Sequence, residues 1–286
     1  MVQRPIGIFD SGIGGLTVLK EAMRLLPEER FVYLGDTARV PYGTKSPATV
    51  IGYAEQAAGF LVSRGVKLLV VACNTASAVA LPHLAACFQL PVVGVIEPGA
   101  RQAVKASSRG RIGVVGTEGT VRSMAYNKAI LRANPLARVV SAACPLFVPL
   151  AEEGWAGHRV ARITAEEYLE PLCREGIDTL VLGCTHYPLL KPVLSELLGT
   201  ETVLVDSAAA TAVAVRDLLR ERNLSCRSGR GGVHFHVTDL PDRFCRVGSA
   251  FLGAELTGVE QVELGGGVQS SAVGDERLMV EAGGVV

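Results

Sequence analysis

Two cysteines stand at the ends of apolar runs, each followed at once by hydrogen-bonding residues: Cys73 in LLVVACNTAS and Cys184 in TLVLGCTHYP. A strand buried on both faces reads as such a run, and open α/β sheets bind ligands just beyond the carboxyl ends of their strands. One cysteine in that place is most often inert core. A pair in matching contexts points instead to chemistry shared between two thiols. Two acid/base groups of one kind are what a reaction needs when it removes a proton from one side of a carbon and returns one to the other. A free thiol, with a pKa of about 8.5, is only slightly ionised at neutral pH and needs help. The residues after both Cys73 and Cys184 can begin a helix, whose free N–H groups favour a thiolate.

Metal binding is the main rival. Neither thiol has a Cys or His partner at a usual zinc spacing, and Cys184 with His186 supplies too few ligands, so no metal is expected at this pair. The DSGIGG turn lacks the third glycine of a dinucleotide fingerprint, since position 17 is Thr17, and no Lys-Ser/Thr pair closes a phosphate loop. Asp10, at the end of the first apolar run, can accept from an ammonium group or orient a thiol, or simply cap a helix. Gly12 to Gly15 allow close backbone approach. Thr117 and Thr120 in GTEGTV suit a carboxylate, or ordinary N-capping. His186 is placed to tune the neighbouring Cys184. His234 and His236 share a strand face, but with no carboxylate or cysteine at the right interval they make a poor metal site; His83 and His158 carry no signal.

The elements that must position these residues alternate. PIGIFD, FVYLGD, LLVVAC, PVVGVI, RIGVVG, RVVSAACP, DTLVLGC, TVLVDS and VHFHV read as strands. Helical patterns fall at LTVLKEAMRLL, about 47–63, ARQAVKA, 124–133, 161–174, 189–198 and from 208 onward. This implies an α/β fold with mainly parallel sheets. With 286 residues, two lobes of roughly 100 to 150 residues each are expected. The two cysteine strands occupy corresponding places, so the lobes are expected to be pseudo-symmetric with the active site in the cleft between them. Residues 1–97 plus 208–264 are assigned to the first lobe, 98–207 to the second, and 265–286 to a glycine-rich mobile tail.

The 28 basic residues balance 28 acidic ones, which gives no electrostatic footprint for nucleic acid or an anionic membrane and favours a small-molecule partner. The opening MVQRPIGIFDSG has no signal-peptide h-region and no apolar stretch reaches bilayer length, so a cytoplasmic protein is expected. Seven cysteines, an odd number, fit reduced thiols rather than a disulfide framework.

The ordered set FDSGIGGLTVL, GDTARVPYGTKS, CNTASA, GTEGTV, CPLFVPLAEEG and LGCTHYPLL resembles the cofactor-independent glutamate racemases of the aspartate/glutamate racemase superfamily. CNTAS alone is shared with relatives such as aspartate racemases; the full set is specific to the glutamate branch. The resemblance implies interconversion of L- and D-glutamate without cofactor or metal, supplying D-glutamate for peptidoglycan, by a cytoplasmic homodimer. It implies that Cys73 takes the proton from the D-isomer and Cys184 from the L-isomer, with Asp10 supporting Cys73, His186 supporting Cys184, and Glu152 near the second thiol. Substrate contacts fall on Asp10, Ser11, Tyr42, Gly43, Asn74, Thr75, Thr117, Thr120, Thr185 and His186. Two alternatives stay open: a racemase of another acidic amino acid such as aspartate, and a non-catalytic amino-acid-binding or inhibitor module.

Overall fold

A computed structural model describes residues 2–265, so the expected tail lies outside the described residues except for Gly265. The first half runs β1 (Ile6–Asp10), α1 (Leu16–Leu25), β2 (Arg30–Gly35), α2 (Pro47–Ser63), β3 (Leu68–Val71), α3 (Asn74–Cys87), β4 (Val92–Gly94) and α4 (Ile96–Ala106). The second continues through β5 (Arg111–Gly116), α5 (Glu118–Ser123), α6 (Ala125–Ala133), β6 (Arg138–Ala143), α7 (Phe147–Glu152), α8 (Arg159–Arg174), β7 (Thr179–Gly183), α9 (Lys191–Leu198) and β8 (Val203–Asp206). Then come α10 (Ser207–Glu221), β9 (Gly232–Val237), α11 (Pro241–Leu252) and β10 (Val259–Gln261).

The strands form two wholly parallel sheets, β10-β9-β2-β1-β3-β4 and β6-β5-β7-β8. Numbered from its own first strand, each sheet contains the order 2-1-3-4, so the second repeats the topology of the first. In both, the order reverses beside the first strand, between β1 and β3 and between β5 and β7. These are the switch points where open α/β sheets leave a crevice. Strands β9 and β10 extend the first sheet beyond β2.

Alternation along the strands explains why helices cover both faces. Ile6 and Ile8 of β1 pack with Leu16 and Leu19 of α1, whereas Phe9 points the other way, among Ala57 and Leu61 of α2 and Ala76 of α3. In β7, Leu180 and Leu182 share the first of these cores, while Val181 joins Ile130 of α6 on the opposite face. Truncating a buried ring such as Phe9 to alanine costs about 3–5 kcal/mol.

Local differences from the sequence reading have simple causes. PVVGVI is not one strand: β4 ends at Gly94 and α4 begins at Ile96, with Pro98 tolerated in its first turn. The expected 124–133 helix is preceded by α5 and separated from it by Met124 in the left-handed region, φ 57°. CPLFVPLAEEG conceals α7, because its Pro149 also lies in a first turn. Among the described residues no helix is long and apolar enough to cross a membrane.

Candidate active site

Register brings the chemistry together at the two switch points. Phe9 pairs with Val71, so Asp10, the last residue of β1, lies beside the chain that leads from β3 to Cys73; Gly116 pairs with Gly183, so Thr117 and Cys184 follow adjacent strand ends. Both thiols line one cavity of about 330 Å³, together with Ser11, Tyr42, Gly43, Asn74, Thr75, Thr117, Glu152, Thr185 and His186. Asp10 and Thr120 stand behind its wall, 0% and 2% exposed. Val40, Pro41, Val148 and Pro149 give the cavity apolar sides, and Glu118 joins the rim. None of these five was singled out from the sequence, because isolated valines and prolines, or one acidic residue at a helix start, carry no chemical signature.

Cys73 is the N-cap of α3. Its sulfur accepts from the Ala76 backbone N–H at 3.5 Å, and its thiol donates to Ser11 Oγ at 3.6 Å. Burial, with the negative charge of Asp10 second, pushes this thiol up to about 12, against the pull of those two hydrogen bonds. Asp10 itself is raised above the usual carboxylate range by burial, opposed chiefly by the charge of His186. Its Oδ2 accepts from Gly12 N at 2.9 Å, while Oδ1 has no partner among the described residues.

Cys184 is held differently. No long helix begins at Thr185; the chain enters a short 3-10 turn, Tyr187–Leu190, so the expected helix N–H support is missing on this side. His186 takes its place, with Nδ1 3.8 Å from Cys184 Sγ and Nε2 2.9 Å from Glu152 Oε1. Burial alone would lower the imidazole pKa, but the hydrogen bonds and charges of Cys184 and Glu152 outweigh it and push His186 up to about 10. Both ring nitrogens then donate. Burial would raise Glu152, but its bonds to His186 and Arg243 hold it below the usual range. Arg243 of α11 donates to Glu152 Oε2 at 2.9 Å, and Phe251 of the same helix meets the His186 ring edge-on at 5.2 Å. Arg243 gave no signal in sequence, lying far along the chain in an unremarkable helical pattern.

The remaining wall is polar and pre-set. Thr75, Thr117 and Thr120 hydroxyls form a triangle with sides of 2.9, 3.3 and 3.0 Å. Thr117 also caps α5, accepting from Thr120 N, so the capping and cavity readings both apply. Tyr126 donates to Asn74 Oδ1 at 2.7 Å, leaving the buried Nδ2 without a partner among the described residues. Tyr42 donates to the buried Asp36, which also accepts from Arg39 and Thr238 and so fixes the Tyr42–Gly43 turn. The glycine turn after β1 has a steric reason: a Cβ on Gly14 would lie 2.2 Å from Thr185 Oγ1 and 2.4 Å from His186 Nδ1. His234 and His236 remain apart from this site; His234 is exposed, and buried His236 has Nδ1 3.4 Å from Glu260 Oε2 on the neighbouring strand β10.

Comparison with known proteins adds to this geometry. Residues 16–215 match the Asp/Glu/Hydantoin racemase family. The chain is 59% identical to the glutamate racemase of Geobacter metallireducens, covering 92% of this chain and 98% of that one. A glutamate racemase isoform from Bacillus anthracis superposes with a TM-score of 0.89 at 38% identity, over 92% of this chain and 99% of the other. The Francisella tularensis glutamate racemase, solved in complex with D-glutamate, gives 0.87 at 39%, over 92% and 98%.

Proposed function

The chain belongs to the Asp/Glu/Hydantoin racemase family, and we propose that it interconverts L- and D-glutamate by exchanging the Cα proton between two thiols, Cys73 and Cys184. The observation that carries this is the pair itself: two cysteines at the ends of topologically equivalent strands, lining one cavity. Glutamate is supported by the relatives, one of which was solved with D-glutamate bound.

Cys73 begins as the thiol, its proton held by burial, and Cys184 acts as the base, with the His186 imidazolium 3.8 Å from its sulfur. L-Glutamate enters with its Cα–H toward Cys184, which takes that proton. Cys73 delivers its own proton to the opposite face, leaving D-glutamate, a Cys73 thiolate and a Cys184 thiol. The reverse passage begins from that state and restores the first. The α-hydrogen is a very weak acid, and negative charge spreads from Cα into the carboxylate as it leaves. Asn74 Nδ2, the Thr75 and Thr117 hydroxyls and the first N–H groups of α3 supply fixed donors for that charge, while the apolar walls exclude water. Asp10 is buried behind Cys73 rather than on the wall, which suits tuning of the thiol more than direct contact with the ammonium group.

The same reading takes the protein as cytoplasmic and homodimeric, providing D-glutamate for peptidoglycan. The exposed Leu146, Trp155 and Val160, which line one surface groove, support an interface between copies.

The deciding experiment is racemisation of glutamate and aspartate in deuterated water. Product enantiomer should carry deuterium at Cα, with glutamate turned over in preference to aspartate. Cys73→Ala and Cys184→Ala should each abolish racemisation, and near wild-type turnover by either would sink the two-thiol scheme. Preference for aspartate would overturn the substrate, and absence of exchange would leave a binding module.

A further inference from the structure

The cavity uses two of the seven cysteines. Another, Cys87, lies on the solvent side of the α2–α3 pair. His83 and Cys87 are four residues apart on α3 and so share one face of the helix. Glu55 reaches them from α2. His83 Nε2 lies 2.9 Å from Glu55 Oε2 and 3.4 Å from Cys87 Sγ, so one ring nitrogen faces both other donors. All three ligand atoms lie within 4.8 Å of one another.

We propose that Glu55, His83 and Cys87 form a surface Zn²⁺ site that clamps α2 to α3. Tetrahedral zinc, with bonds of about 2.0–2.3 Å, holds neighbouring ligand atoms about 3.3–3.6 Å apart. The thiol–imidazole separation already falls in that range, the carboxylate–imidazole separation of 2.9 Å is a few tenths of an ångström short of it, and the carboxylate and thiol lie no more than 4.8 Å apart. Exposure of the cluster allows this adjustment and leaves the fourth position to water. The donor set is chemically suited: a thiolate and an imidazole select zinc over magnesium or calcium, and one thiolate with one carboxylate neutralises the ion. The Cys87 S–H bond breaks and its proton goes to solvent as the Zn–S bond forms, so binding tightens as pH rises.

The scaffold beneath is rigid. Ala54, Ala57 and Ala58 of α2 and Ala76 and Ala80 of α3 are wholly buried in one core, and such small side chains let the helices approach closely. The two helices also matter to the cavity. The α2 helix follows the Tyr42–Gly43 turn, and α3 begins at Asn74, next to Cys73. Zinc would therefore stiffen the support of one half of the site from a distance, without entering the reaction. In sequence His83 carries no signal, since its partners are a cysteine one turn away and a carboxylate on another helix.

The test uses the full chain, reduced with a phosphine, titrated with Co²⁺ while thiolate-to-metal charge-transfer absorption is followed. The cavity thiols are rival ligands, so Cys87→Ser is compared with the double variant Cys73→Ala/Cys184→Ala. A band that saturates at one equivalent, is displaced by Zn²⁺, survives in the double variant and vanishes in Cys87→Ser is the expected result. His83→Ala and Glu55→Gln should weaken binding by about tenfold or more. Zn²⁺ should raise the Tm of the wild type but not of Cys87→Ser, whose metal-free racemisation is unchanged. A band that persists in Cys87→Ser, or none at saturating Co²⁺, overturns the proposal.

Discussion

Cys73 and Cys184 end equivalent strands of two sheets with the same strand order, yet their surroundings carry opposite charge. Behind Cys73 stand a buried carboxylate and the start of a helix, and its thiol is pushed up to about 12. Beside Cys184 stands a buried imidazole pushed up to about 10, held by Glu152, which is held in turn by Arg243. Topology has duplicated the position of the thiol; the neighbours have made the two copies different. In the proposed two-thiol exchange a proton can cross only if one sulfur begins with it and the other without, and unequal neighbours bias which sulfur holds it.

The most drastic way to break the comparison is to remove either sulfur. Cys73→Ser and Cys184→Ser should each lower kcat by about a thousandfold or more, since an alcohol at the same place is a far poorer acid and base at neutral pH. Measured progress curves from both pure enantiomers check this. Because L- and D-glutamate are equal in free energy, kcat/KM must fall by the same factor in both directions. Differences between the halves therefore show elsewhere, in kcat, in KM and in the isotope effect of Cα-deuterated substrate.

Glu152→Gln should cost less, about ten- to a hundredfold, and act on one side. Without the carboxylate, His186 loses much of what keeps it protonated, so the alkaline limb of the pH–rate profile should move from about 10 toward the ordinary histidine value. The primary isotope effect should grow for L-glutamate, whose proton goes to Cys184 in the proposed scheme, and shrink for D-glutamate. Stability should change with the same group. Its folded pKa lies above the unfolded value of about 6.5, so the stabilising contribution is complete below that pH and is lost as pH rises through about 10. A wild-type Tm that falls across this window, and falls less in Glu152→Gln, is the expected outcome of a thermal scan series.

How far these halves could be read from sequence depended on whether the signal was local. Cys73, Asn74 and Thr75, or Cys184, Thr185 and His186, sit in short runs after apolar strands, and alternation of strands and helices fixes where such runs must lie. Gly14 was legible as a place of close approach, although its partners Thr185 and His186 were not, because they belong to the other sheet. Arg243 and Tyr126 were invisible because each holds another side chain across a long sequence separation, and Asp36, though only six residues from Tyr42, because nothing in a single acidic residue announces that it will be buried as an acceptor. The helix expected to support Cys184 failed for a related reason. THYPLL can open either a helix or a tight turn, and packing of Tyr187, which donates to Cys144 O at 2.7 Å, accompanies the turn.

Asp10→Asn tests the opposite half. The negative charge behind Cys73 makes its thiolate a stronger base, so neutralising it should slow proton removal from D-glutamate and lower kcat by about tenfold. The isotope effect should now grow for D-glutamate and shrink for L-glutamate, the mirror of Glu152→Gln. If both variants moved it in the same direction, the division of labour between the two sides would be wrong.

The smallest effect is expected at Arg243, and it sharpens the comparison by showing how far the Cys184 side extends. Arg243 touches neither thiol; it acts as a positioning residue through Glu152, and its side chain is 38% exposed, so water and salt screen its charge. Arg243→Gln should lower kcat by about five- to tenfold and shift the alkaline limb downward, though less than Glu152→Gln does. Arg243→Lys keeps the charge but loses the planar fork, and should recover most of the limb while leaving kcat within about threefold of wild type. A purely structural role for α11 would behave otherwise: both variants would lower the Tm and neither would move the pH profile. The two variants, assayed from pH 6 to 11 at low and high salt, therefore separate support of the His186 charge from support of the helix that carries it.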